Sequence, residues 1–222
     1  MNKDSDKFRI SCFLLLIAVV FFTACSTSRY SSYPKTSFVT ASWYGSEFHG
    51  RPTASGEIFD MNALTCAHRE YPFGTRLKVT NVSNNSSVVC LVNDRGPFVS
   101  GRDIDLSYGT AKKINMMGTG RVRIEYAGRD QSYIRTVRYQ TDRGPFAVQV
   151  GSFRESENAS RLKKSLELKY GNVQILEAKV DGDRYYRVRI GKFSTKDRAY
   201  RFAKDLAEEG YGVIITSYEE KI

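Results

Sequence analysis

The sequence predicts two small folded units in series: a mainly β unit closed into a barrel, then an α+β unit of β-α-β-β-α-β order, the ferredoxin-like arrangement. Three observations predict this. Between Phe38 and about Tyr126, apolar and polar residues alternate in short runs punctuated by Gly, Asn and Pro, the pattern of half-buried strands. Helical spacing over longer stretches begins only beyond about residue 145. The second half also repeats itself at an offset of 40: Val150, Gly151 and Phe153 recur as Ile190, Gly191 and Phe193, and Ala159, Leu162, Lys164 and Leu166 recur as Ala199, Phe202, Lys204 and Leu206.

Composition is compatible with both units. The 222 residues are 41% hydrophobic and 26% charged, which excludes collagen-like, fully disordered and polytopic membrane chains. A net charge of +10 favours a polyanionic partner: nucleic acid, an acidic envelope polymer or a membrane surface.

In chain order, Lys3, Lys7 and Arg9 precede an apolar run from Phe13 to Phe22 and then Thr23-Ala24-Cys25. These are the n-region, h-region and cleavage site of a signal peptide over 1–24, and the run is too short to span a membrane as a standard helix. Export argues against a nucleic acid partner. Residues 25–37 are polar and read as a tether. The barrel unit occupies 38–127, with strands at 76–82, 87–92 and 120–126 and a short helix at 107–114. A basic connector covers 128–142.

The second unit occupies 143–222. Strand 146–150 leads into a helix carrying Ala159, Leu162 and Leu166 and ended by Gly171. Strands 173–180 and 184–190 flank an Asp181-Gly182 turn. Ser194 begins a helix closed by Gly210, and 212–218 is the last strand. The repeat implies that its two equivalent strands lie side by side. With Val150 and Ile190 facing the helices, Gln149, Arg187 and Arg189 project from the opposite, open face. Amide and guanidinium groups there suit hydroxyl-rich and acetamido-bearing ligands, although these residues alone favour a plain solvated face.

Candidate chemistry concentrates in the barrel unit. It holds both histidines, His49 and His68, and the acids Glu57, Asp60, Asp94, Asp103 and Asp105 near turn signals. No nucleophile-elbow pattern is present. Cys66-x-His68 offers two ligands without a partner pair at zinc spacing, so no metal is expected. Acid–base chemistry by carboxylates remains, the pattern of glycosidic bond cleavage. Asp94 stands in Val92-Asn-Asp-Arg-Gly-Pro-Phe98 at the end of an apolar strand, where partial desolvation raises a carboxyl towards the range of a general acid. The bland alternative is a turn-capping Asp paired with Arg95, and a second Asp-Arg-Gly-Pro-Phe at 142–146 makes the pentapeptide itself undiagnostic. Asp105 reads as a helix cap. Cys66 and Cys90 are either a disulfide or two small buried residues on neighbouring strands.

Three resemblances sharpen these readings. Thr23-Ala24-Cys25 resembles a bacterial lipobox, with Phe22 where Leu is usual. It implies lipidation at Cys25, a membrane held through that anchor and, with Ser26 next, the outer membrane on its periplasmic side. Gln149-Val-Gly-Ser-Phe153 with Arg189-Ile-Gly-Lys-Phe193 resembles the SPOR (sporulation-related repeat) domain. It implies binding, through Gln149, Arg187 and Arg189, to peptidoglycan glycan strands that lack stem peptides and are enriched at division septa.

The third covers the whole exported chain. Ala41-Ser-Trp-Tyr-Gly45, Thr53-Ala-Ser-Gly-Glu57, Phe59-Asp-Met-Asn-Ala-Leu64, Ala67-His68, Phe73-Gly-Thr75, Asn93-Asp-Arg-Gly-Pro-Phe98 and Ile104-Asp-Leu-Ser107 together resemble the rare lipoprotein A family. That resemblance implies a six-stranded double-psi β-barrel ahead of a SPOR domain. It also implies a lytic transglycosylase that cuts the MurNAc–GlcNAc bond of naked glycan without water, leaving 1,6-anhydro-MurNAc ends. The family's catalytic residues fall on Glu57, Asp60, His68 and Asp94. Asp94 is the expected acid–base group, with Glu57 the next choice; His68 and Asp60 orient substrate or tune the acid. Trp43, Tyr44 and Phe48 are candidates to stack on sugar rings, although aromatics of a small barrel are more often core. Cys66 and Tyr71 depart from the family pattern without touching those positions. No cofactor is expected, and cell-division proteins are expected partners. The competing functions are a non-catalytic wall-binding lipoprotein, expansin-like or scaffolding, and an ordinary hydrolase.

Overall fold

The computed structural model describes Pro34 and residues 36–219. The expected signal peptide, the Cys25 lipidation position and most of the tether lie outside the described residues. The first strand, β1 (Thr36–Tyr44), is followed by β2 (Thr65–His68), β3 (Thr75–Asn81), β4 (Ser87–Asp94), β5 (Ile104–Ser107), helix α1 (Tyr108–Lys113) and β6 (Gly120–Arg129). These six strands close into a barrel in the order β1-β5-β2-β4-β3-β6, with β6 returning to β1. The pairs β1–β5 and β2–β4 are parallel. Alternation puts Leu77, Val79, Val92, Ile104, Leu106, Val122 and Ile124 inside, all fully buried.

Ser107 caps α1, its hydroxyl accepting from the Thr110 N–H at 3.1 Å. This corrects the expectation for Asp105, which lies within β5 and accepts from the Ser42 hydroxyl. Cys66 and Cys90 form a disulfide, with Cα atoms 6.0 Å apart. Barrel closure makes β2 and β4 neighbours, which spacing alone does not reveal. Closing a loop of this size stabilises by about 3 kcal/mol through the unfolded state. Reduction is therefore expected to lower the melting temperature by roughly 10 °C; equal melting curves with and without reductant would contradict this.

Beyond the barrel come a 3-10 turn (Gln131–Tyr133), β7 (Val137–Tyr139), β8 (Phe146–Phe153), α2 (Ser156–Glu167), β9 (Val173–Val180), β10 (Asp183–Phe193), α3 (Lys196–Glu208) and β11 (Val213–Ser217). The sheet order is β7-β11-β8-β10-β9. The repeated strands β8 and β10 do pair, with Arg189 opposite Gln149. Ala159, Leu162 and Leu166 of α2 and Ala199, Ala203 and Leu206 of α3 are buried against the sheet. The Asp181-Gly182 turn has φ of 52° and 88°, the two positive values of a tight hairpin of the primed type.

Three local expectations differ from the structure. The cap of α3 is Thr195, not Ser194; its hydroxyl accepts from the Arg198 N–H at 3.4 Å. The stretch read as a connector contributes β7, which pairs parallel with β11 and adds a fifth strand. Gln149 and Arg189 do lie on the face away from the helices, but they are only 8% and 3% exposed. Alternation assigns a face without saying what covers it. Arg189 donates to the Ser217 carbonyl at 3.2 Å, while Arg187 stays half-exposed.

Barrel and sheet form one compact unit. Phe73 of the barrel is buried in the same apolar cluster as Tyr133, Leu162, Leu166, Leu206 and Tyr211. Its N–H donates to the Glu209 carbonyl at 3.0 Å, and the Arg135 N–H donates to Ala207 at 3.0 Å. Gly74, at φ 82°, permits the closest approach: a Cβ there would lie 2.8 Å from the Asp130 carbonyl oxygen and from Tyr133 Cβ.

Candidate active site

The end of β4 meets a small hairpin. Pro52 bridges Ile58, and the Thr53 N–H donates to the Glu57 carbonyl at 2.7 Å. The Ala54-Ser55 tip lies on the strand end: the Ala54 N–H donates to Asp94 Oδ1 at 2.8 Å, and the Ser55 N–H to the Asn93 carbonyl at 3.3 Å. Asn93 in turn donates through Nδ2 to Glu57 Oε2 at 2.8 Å. The hairpin thus brings together two acids 37 positions apart in the chain, Glu57 and Asp94.

Asp94 is 8% exposed. Burial pushes its carboxyl above the usual range, opposed by the Ala54 and Arg95 N–H groups and then by the charges of Arg161 and Arg95. Both N–H donors converge on Oδ1, which leaves Oδ2 outside both bonds. The bland alternative of an Asp94–Arg95 side-chain pair is not what forms. The Arg95 guanidinium turns away, donating to the Tyr211 hydroxyl at 2.7 Å and the Tyr71 carbonyl at 2.9 Å, over the Phe73 ring at 3.7 Å.

His68 ends β2, one residue beyond Ala67, which pairs with Asp94 across the strands. Its Nδ1 accepts the Glu70 N–H at 3.0 Å and the Tyr71 N–H at 3.2 Å, so the ring proton resides on Nε2. Burial, and then Arg95 and Arg69, push its pKa down to about 3. His68 is therefore a neutral hydrogen-bond donor at neutral pH, not a proton source.

The other expected residues divide. Asp60 is an exposed turn residue: Oδ1 accepts from the Asn62 N–H at 2.9 Å, with His49 Nδ1 3.8 Å away. None of its hydrogen bonds among the described residues reaches Asp94 or Glu57. Trp43 is 38% exposed, its ring 5.6 Å from that of Tyr108. Tyr44 corrects its expectation, since its buried ring is stacked on Phe59 at 4.4 Å and is core rather than an open sugar platform. Burial, with Asp94 and Asp105 nearby, pushes its hydroxyl well up. No group of three or more potential metal ligands occurs among the described residues, and Cys66 is committed to the disulfide.

Three residues escaped sequence reasoning. Asn93 carried a signal, adjacency to Asp94. Tyr133 and Arg161 carried none. The Tyr133 hydroxyl donates to Glu57 Oε1, and burial first, then this bond, pushes the phenol well up. Arg161, on α2, places its guanidinium 5.0 Å over the Phe48 ring.

Comparison with known proteins gives matches along both units. The family model described as "Lytic transglycolase" matches residues 36–126, and the SPOR domain model matches 142–217. An endolytic peptidoglycan transglycosylase RlpA of Campylobacter jejuni is 38% identical over 194 residues, covering 78% of this chain and 70% of its own. Its namesake in Vibrio cholerae is 36% identical over 173 residues, covering 77% and 65%. A probable endolytic peptidoglycan transglycosylase RlpA of Synechocystis is 62% identical over 80 residues, 36% of this chain and a quarter (25%) of that relative.

Proposed function

The chain belongs to the rare lipoprotein A (RlpA) family of peptidoglycan transglycosylases, and from that membership we infer that it is itself a lytic transglycosylase. Its double-psi β-barrel cuts the MurNAc–GlcNAc bond of naked glycan, and its SPOR domain binds peptidoglycan and directs it to septal strands. The observation that carries the catalytic reading is the Asp94 carboxyl. It is buried at a strand end, raised in pKa by that burial, and joined to Glu57 through Asn93 and the 52–58 hairpin.

In the reaction, Asp94 donates its proton to the glycosidic oxygen as the C1–O bond breaks. The muramic C6 hydroxyl oxygen closes on C1, and its proton returns to the Asp94 carboxylate. No water is consumed, and the two products together have the mass of the substrate. Glu57 offers fixed negative charge to the oxocarbenium-like transition state. His68 donates a hydrogen bond through Nε2. Trp43 offers a ring face to a sugar. Exclusion of water, which the burial of Asp94 favours, decides between lytic and hydrolytic products.

The cellular setting is part of the same proposal. Residues 1–24 are a signal peptide, Cys25 carries acyl chains, and the protein faces the periplasm from the outer membrane, where division proteins are its partners. Two or more chains at Cys25 give the stable anchoring that one does not.

The purified exported form is expected to release anhydro-ended fragments from denuded sacculi and far fewer from sacculi that retain stem peptides. Pelleting with sacculi without any new chain ends would instead mark a wall-binding lipoprotein.

A further inference from the structure

Tyr133 lies outside the barrel strands, yet its hydroxyl ends on a carboxylate of the candidate site. Its ring is 7% exposed in the core that the second unit shares with Phe73, and the bare Gly74 backbone admits it. Packing, not the hydrogen bond, therefore fixes where the phenol points. The Glu57 carboxylate is held from two sides, by Asn93 Nδ2 at 2.8 Å from β4 and by Tyr133 from beyond β6. The approach is not isolated: Arg161 of α2 stands over Phe48 at the same end, and its charge acts on Asp94.

Resting on the reading of Glu57 and Asp94 as the reaction's carboxyls, we propose that Tyr133 is a positioning residue for Glu57, so that the polypeptide beyond the barrel completes the transglycosylase site in cis. A carboxylate that stabilises positive charge developing at an anomeric carbon must hold its plane and distance; two donors anchored in different layers remove both rotations. The barrel alone supplies one of them.

The test uses the full chain. Tyr133→Phe keeps the buried ring and removes the hydroxyl, so its melting temperature stays close to that of the parent. Its kcat on denuded glycan is expected to fall about 10- to 100-fold, with KM within about twofold. In a Glu57→Gln background the same change is expected to add little further loss, since both act through one group. Unchanged or increased kcat, or a loss that multiplies fully with Glu57→Gln, overturns the proposal. A parent that releases no anhydro ends would instead refute the activity. A second measurement then still decides on Tyr133: the carboxyl carbon resonance of Glu57 is expected to move in Tyr133→Phe whether or not glycan is cut. A resonance that stays in place overturns the assignment.

Discussion

Asp94→Asn is expected to abolish release of anhydro-ended fragments, by at least about a thousandfold, while raising the melting temperature at neutral pH. The first effect follows from the double duty of one carboxyl as acid and then base, since general acid–base groups each contribute about 10²- to 10⁴-fold. The second follows from linkage. Burial raises this carboxyl's folded pKa above its unfolded value. Its contribution to stability is therefore fully present below the ordinary carboxylate range and is lost as pH rises through the raised value. An amide does not ionise, and its oxygen still accepts from the Ala54 and Arg95 N–H groups. The variant should melt higher than the parent at pH 7 and equally at strongly acidic pH. Thermal denaturation across that range checks the sign; a lower melting temperature at neutral pH would contradict it.

Arg95→Ala carries the largest expected loss of stability, about 3–5 kcal/mol, or roughly 10 °C in melting temperature for a protein of this size. Arg95 is 3% exposed and joins both folded parts: its guanidinium lies between the Phe73 ring of the barrel and Tyr211 beyond α3. Truncation leaves the Tyr211 hydroxyl and the Tyr71 carbonyl without this donor inside the protein, and it opens a cavity beside Phe73. Arg95→Lys should recover little, because a compact ammonium does not bridge both partners while stacking on a ring. A chemical denaturation midpoint within error of the parent for Arg95→Ala would show that the seam between barrel and sheet does not depend on this residue.

How much was legible in the sequence depended on the range of the interaction. The 40-residue repeat predicted that β8 and β10 pair, because two copies of one β-α-β unit bury equivalent faces. Apolar spacing found both long helices, and the one start it named shifted by a single residue, since Ser194 and Thr195 are both competent hydroxyl caps. Asp105 was misread for a related reason: it stands near the start of α1, but Ser107 is the residue whose backbone turns into the helix. Trp43 and Tyr44 were read alike from residue type; adjacent positions on β1 leave the first part-exposed and bury the second. Period-two alternation put Gln149 and Arg189 on the right face and was silent on their burial.

Chemistry across the chain was less visible. The residue types around Asp94 allowed both an acid and a turn cap, and the family resemblance favoured the acid. That Arg95 turns to Tyr211 follows from a packing of barrel on sheet that no local pattern encodes. Tyr133 lies 76 positions from Glu57, in a short stretch without periodicity, so neither its order nor its partner had a signal.

The central claim is that one shielded carboxyl moves a proton out and back with no water molecule taking part. Digestion of denuded glycan in ¹⁸O-labelled water, followed by mass spectrometry of the new chain ends, tests it directly. The account predicts 1,6-anhydro-muramic ends that carry no label. Muramic reducing ends that have gained the label together with the mass of water would contradict it.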